Sequence, residues 1–447
     1  MLTHQAHRAP GADGHRWYWC AGWLASAAWA AAFPLVSSLG PHRTWGTVAA
    51  VGYLAAAVTV LLPSRRDPRT GSTALALSGA VVLPLLLLVH SGAAQSEVGV
   101  IERSGSLLVH QVSPYLDDPR TVGEVTPYLP AMALLGVPRA LLGADGLPAR
   151  LAGDPRVWCA AVLLGGLWLA HRLLRAAAPD TGAAAGPDGG PDTGPDDGRR
   201  WGAVPAGQAL AALVASPVVA LPLAVSGVDL PLTGLLCLAL ALAAVGRPAA
   251  TGLVLAAACA MKWTAWPAVA VAVALLAATA GRRAAGRCLG TALVGTAALV
   301  LPAAVLAPGP MVDQVLAFPL GRGGLRTEAA SPLPGKLLAD LGTAGWCAAV
   351  ALLLLGGLGV AVSLVRRPPR DLVAAADRLA LGLGAAFLLA PAGRFGYLAL
   401  PAVLALWARV MPAPRPAGPV PAPIPVPVRQ GGAEPTTTRS SQEGGVR

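Results

Sequence analysis

Charge is what this sequence lacks. Of its 447 residues only 12% are Asp, Glu, Lys or Arg, about half of what a soluble chain carries to cover its surface. That excludes a soluble globular domain. Lysine is nearly absent, with Lys262 and Lys336 alone, and aromatics make up 5%. Six cysteines occur (Cys20, Cys159, Cys237, Cys259, Cys288 and Cys347), and none stands in a CxxC or other metal-ligand spacing. They read as small apolar side chains, and no metal site is expected from them. The net charge of +11 brings nucleic acid to mind as a partner. The basic residues form no patch, however. They stand as short Arg runs between apolar blocks, which is a membrane topology signal and not a nucleic-acid surface.

What the sequence has is length in apolar runs. It is 55% hydrophobic, with a mean hydropathy of +0.61. The apolar blocks run to roughly 20 residues, enough to cross about 30 Å of hydrocarbon at 1.5 Å per residue. Helices are predicted at roughly 17–37, 45–62, 72–90, 155–172, 203–224, 230–246, 249–261, 264–280, 288–306, 345–365, 373–391 and 395–411. The expected fold is all-α, a polytopic transmembrane helix bundle of about 12 helices spanning 17–411. The first block lacks a small-residue cleavage site and reads as a membrane helix, not a signal peptide.

Arg placement sets the expected orientation. The connections at 63–71, 173–202, 281–287 and 366–371 are Arg-rich. Twelve crossings put all four on one side with both termini, and the positive-inside rule makes that side cytoplasmic. Residues 1–16 are then a cytoplasmic segment. Residues 178–198, rich in Gly, Pro and Asp, read as a disordered cytoplasmic linker, and 412–447 as a disordered Pro-rich tail. The other face receives two polar segments, about 91–154 and 308–344. Within the first, 126–143 is apolar but holds two prolines and Arg139, so it is expected to lie on the outer face as juxtamembrane structure.

Chemistry is sought where acids follow a membrane helix. From Val98, apolar or small residues recur at Ile101, Gly105, Leu108 and Val112, one stripe down a helix. Glu97 and Glu102 flank that stripe on opposite sides. On pattern alone they are solvated flanks of an amphipathic helix. Lys262 is set in apolar sequence, where a charge costs ~2.5–3.5 kcal/mol at a helix centre. It either snorkels to a headgroup or holds an anion.

These motifs resemble the GT-C superfamily of membrane glycosyltransferases, most of all the bacterial polyprenyl-phosphate-mannose-dependent mannosyltransferases. In that family an acid closely follows a membrane helix. An apolar pair, a Pro-Tyr pair and a Tyr-Pro-Pro-like turn come after it. Here these are Glu97, Leu108–Val109, Pro114–Tyr115 and the run Pro127-Tyr128-Leu129-Pro130. Asp229 in SGVD, Lys262 in AMKWTAWP, Arg322 and Arg326 in FPLGRGGLRTEAASPLPG, and Arg394 and Tyr397 in PAGRFGYLALP continue it. The resemblance covers most of 91–411. It departs from the family in carrying Glu where Asp is usual, and in placing the loop after the third helix where the family has it after the first.

The resemblance implies an integral membrane hexosyltransferase of the plasma membrane. It would move a hexose, mannose first, from a polyprenyl-phosphate donor to a cell-envelope glycan or glycolipid on the extracytoplasmic face. Glu97 is the implied catalytic base and Asp229 its catalytic partner. Glu102, Tyr115, Tyr128, Lys262, Arg322, Arg326, Arg394 and Tyr397 are the implied substrate-binding residues. The lipid bilayer, the lipid-linked sugar and the acceptor are the expected partners. No cofactor or metal is demanded beyond the donor. A transporter or flippase of lipid-linked substrates, or an inactive relative of the family, is the alternative.

Overall fold

A computed structural model describes residues 12–62, 67–178, 204–325 and 329–413. Residues 1–11 of the N-terminal segment, 179–198 of the linker, 414–447 of the tail, and Arg326 lie outside the described residues. The described chain is a bundle of apolar helices, as a membrane requires: in hydrocarbon every backbone polar group must be bonded within its own segment. Seven helices are long and apolar enough to cross a bilayer: Arg16–Val36, within α1 (Ala12–Val36), α2 (Gly40–Leu61), α3 (Pro68–His90), α5 (Pro155–Ala177), α11 (Arg282–Leu306), α12 (Thr343–Arg366) and α13 (Leu372–Leu389). An eighth span is formed if α6 (Ala206–Ala215) and α7 (Pro217–Val225), bent by 55°, act as one.

The sequence blocks at 230–246, 249–261, 264–280 and 395–411 form shorter helices: α8 (Leu230–Ala244), α9 (Pro248–Met261), α10 (Pro267–Thr279) and α14 (Ala399–Val410). A 15-residue helix reaches only about 22 Å. The count of long crossings is therefore seven or eight among the described residues, where twelve were expected.

Local chemistry sets the helix starts. Asp67, Asp154 and Asp371 cap helices by accepting from Arg69 N, Arg156 N and Ala374 N. Pro68 and Pro155 follow two of these caps, at the position where a missing N–H costs nothing. At the centre lies α8, buried on nearly every side. It meets α5 backbone to backbone. A Cβ on Gly166 would stand 2.5 Å from Gly234 O, and one on Gly234 would stand 2.7 Å from Leu163 Cα. In contrast, α11 and α12 are only 11% buried over their apolar windows and face outward. Two long bonds fasten α2: Trp45 Nε1 donates to Ala80 O at 2.8 Å, and Tyr53 Oη to Ala215 O at 2.6 Å.

The polar segment after α3 is mostly folded. Helix α4 (Ser96–Gln111) buries Val98, Ile101 and Gly105 of the predicted stripe, together with Val100 and Ser104, which lie off it. The stripe does not reach Val112. That residue turns left-handed (φ 62°), ends the helix and is exposed. The 126–143 stretch forms a 3₁₀ turn, Pro130–Leu135, and a short helix, Val137–Leu142. It packs inward, with Pro130, Ala131, Met132, Ala133 and Leu135 buried and Leu129 N donating to Met261 O at 3.0 Å. The close approach of Gly105 to Gly136, where neither tolerates a Cβ, seats this stretch on α4.

Candidate functional site

Three turns and one helix start converge at one end of the bundle. Gln95 N donates to Val225 O at 3.0 Å, which fixes where α4 begins. That puts Glu97 in its first turn, where the helix dipole favours an anion. Arg394 lies in the turn between α13 and α14. The 308–344 segment clamps that turn: Gly393 N donates to Ala329 O and Ser331 N to Gly393 O, both at 3.0 Å. Lys262 ends α9 in extended backbone (φ −155°, ψ 132°), and Pro267 begins the next helix. Asp229 follows Gly227, whose left-handed φ of 73° makes the turn into α8.

The charges pair across this end. Arg394 Nη1 bonds Glu97 Oε1. Lys262 Nζ donates to Asp229 Oδ1 at 2.5 Å. Glu97 Oε2 faces Ser96 Oγ at 3.4 Å. Lys262 Nζ also lies 4.9 Å from the Tyr397 ring centre and 5.8 Å from that of Tyr128, within cation–π range. Tyr115 Oη donates to Tyr128 O at 3.0 Å and supports it from behind. Burial, with the Glu97 and Asp229 carboxylates, pushes the Tyr128 phenol well above its ordinary pKa.

A cavity of about 430 Å³ opens among these groups. Glu97, Tyr128, Lys262, Arg394 and Tyr397 form its polar side, and Trp266, Phe318, Leu353, Leu383 and Phe387 its apolar side. Such a space suits a charged headgroup with an apolar tail. Five of the sequence candidates therefore share one cavity. Asp229 is not in the cavity wall but stands behind Lys262. Glu102 is elsewhere, on the far flank of α4, bonded by Arg139 Nε at 2.8 Å. Tyr115 is buried below Tyr128. Arg322 stacks over Trp346, 4.0 Å from the ring centre.

Three residues that sequence reasoning passed over complete this end. Arg156, 1% exposed, donates to both oxygens of Asp154 and to Ala93 O and Ala224 O, tying together α5, the start of α4 and the end of α7. The Asp-Pro-Arg start of α5 is its only sequence signal. Gln314 accepts from Thr126 N at 2.8 Å and donates to Leu116 O at 2.6 Å, so it joins the two polar segments. Arg103, on α4, has Nε and Nη2 shielded and without a hydrogen-bond partner. The chain matches no protein-family model, no curated protein and no solved structure.

Proposed function

We propose that this chain is an integral membrane hexosyltransferase resembling the GT-C mannosyltransferases. It takes a hexose, mannose first, from a polyprenyl-phosphate donor and passes it to a cell-envelope glycan or glycolipid. In this reading the short helices complete a pattern of about twelve crossings. The Arg-rich connections and both termini face the cytoplasm, and the cavity opens on the outer face of the plasma membrane. The observation that carries the reading is the meeting of Glu97, Lys262 and Arg394 on one cavity that is apolar on its other side.

The chemistry is a single displacement with inversion. The acceptor hydroxyl gives its proton to Glu97, whose Oε2 is the oxygen not bonded to Arg394. The acceptor oxygen then bonds to the sugar carbon as that carbon's bond to the phosphate oxygen breaks. The electron pair leaves on the phosphate, where Lys262 and Arg394 stabilise the developing charge. Asp229 holds Lys262 in place for this. The lipid chain lies along Trp266, Leu383 and Phe387.

The test is a transfer assay in vesicles carrying the wild-type protein and labelled polyprenyl-phosphate mannose. Label moving into acceptor material, with release of polyprenyl phosphate, is expected. Intact donor crossing the bilayer without sugar release would sink the transferase reading and support a flippase.

A further inference from the structure

Thr264 carries a hydroxyl in the cavity wall that the transfer chemistry leaves unused. Elsewhere in this chain such hydroxyls are spent on their own helix. Those of Thr233, Thr251, Thr279 and Thr291 each donate to the carbonyl four residues back. Thr264 is denied that bond, because Lys262 breaks the helix in extended backbone and Ala260 no longer stands one helical turn below it. The Thr264 hydroxyl makes no hydrogen bond among the described residues. The residue is half-buried, and its hydroxyl is not shielded from solvent.

Its position is fixed. Thr264 is the middle residue of a 3₁₀ turn, Trp263–Ala265. Ala265 N donates to Lys262 O, Trp266 N to Trp263 O and Trp266 Nε1 to Cys259 O, each at 3.1 Å. Thr264 is therefore held close in the chain to Lys262, and both line the cavity. The other neutral hydroxyl-bearing residues of the wall are engaged. Ser96 Oγ donates to Glu97 Oε2 at 3.4 Å, and Tyr128 and Tyr397 turn ring faces to Lys262. In the displacement the sugar lies between an acceptor at Glu97 and a phosphate at Lys262 and Arg394. The sugar hydroxyl nearest that phosphate is the one on carbon 2, beside the carbon that bears it. An accessible hydroxyl without a partner, in a wall that is otherwise largely apolar, gains most from such a bond.

We propose that Thr264 is a specificity-determining residue that hydrogen-bonds the carbon-2 hydroxyl of the donor hexose, the hydroxyl at which mannose and glucose differ. This rests on the transferase reading for its donor and names the part of the sugar that the cavity reads.

The test is donor binding by the full-length protein in nanodiscs, followed beside transfer. Two labelled donors are compared, polyprenyl-phosphate mannose and its 2-deoxy analogue. Wild type is expected to bind the mannose donor about three- to tenfold more tightly. Thr264→Val keeps the shape of the side chain. It is expected to lose that factor on the mannose donor and to bind the 2-deoxy donor as wild type does. Thr264→Ser is expected to keep most of the preference. Melting temperatures check that the variants fold. Equal affinity of wild type for the two donors, or an equal loss on both in Thr264→Val, overturns the assignment, as does absence of donor binding by wild type. The full binding pattern without release of polyprenyl phosphate leaves the assignment standing and removes the transferase reading alone.

Discussion

Lys262 Nζ stands 2.5 Å from Asp229 Oδ1, joining two turns 33 residues apart in the chain. Either substitution alone, Asp229→Asn or Lys262→Met, strands the other charge. Breaking a buried pair costs ~3–5 kcal/mol, and the 27% exposure of Asp229 reduces the expectation to about 1–3 kcal/mol. The double variant leaves no orphaned charge and is expected to recover part of the loss. Melting in detergent measures this, and strictly additive losses would show that the pair carries no coupling.

Glu97→Gln keeps the shape of the side chain and loses the base. Transfer from a labelled lipid-linked sugar is expected to fall by about 10²–10⁴-fold at equal protein level. Glu102→Gln, on the opposite flank and bonded to Arg139, is expected to leave transfer within a few-fold of wild type. Full activity in Glu97→Gln membranes would remove Glu97 as the base.

Gln314→Leu leaves Thr126 N–H and Leu116 C=O without partners, at about 1–3 kcal/mol for each group. The expected result is faster proteolysis within 91–154 and 308–344 in vesicles, with the long helices still protected. Gln314→Glu keeps the bond accepted from Thr126 but sets a buried carboxylate against Leu116 O, and should show an effect no smaller than Gln314→Leu. Unchanged cleavage of both segments would show that Gln314 does not hold them together.

Gly166→Leu forces α5 away from α8, because its Cβ would enter the Gly234 backbone. A loss of at least about 1–3 kcal/mol is expected from such overpacking. The adjacent Gly165→Leu supplies the contrast, since a Cβ there meets nothing within 4 Å. Equal yields and equal melting temperatures for the two variants would contradict the close crossing.

Tyr115 and Tyr128 both have phenol pKa values raised by burial. In the unfolded chain these phenols ionise near pH 10, while in the fold they stay protonated. The unfolded state then binds fewer protons, so stability is fully present below pH 10 and falls as pH rises beyond it. Tyr397 is raised by burial as well, so Tyr128→Phe removes one of several such groups and should flatten that decline in part. An equally steep loss in the variant, followed by melting between pH 9 and 11, would place the cause elsewhere.

Membrane residence was legible from the chain alone. Hydropathy and helix length are local properties, and a run such as 343–366 must be helical in hydrocarbon whatever surrounds it. Glu97 and Lys262 could be singled out for the same reason, as charges set beside apolar runs, whereas Asp229 and Arg394 were named only through the family resemblance. The α4 stripe was also readable, except at Val112, where the helix ends in a left-handed residue that no pattern of apolar spacing marks.

Which charge meets which was decided only by the tertiary structure. Glu97 and Arg394 are 297 residues apart, and no local feature of either names the other. The same holds for the buried Asp154–Arg156 pair with its distant carbonyls, for Gln314 between two segments, and for the separation of Glu102 and Arg322 from the cavity. The number of long crossings was likewise beyond the pattern, because a short apolar block is stable only when neighbouring helices bury it, as α8 is buried. Apolar length is written residue by residue; a partner across the bundle exists only once packing has brought the two side chains together.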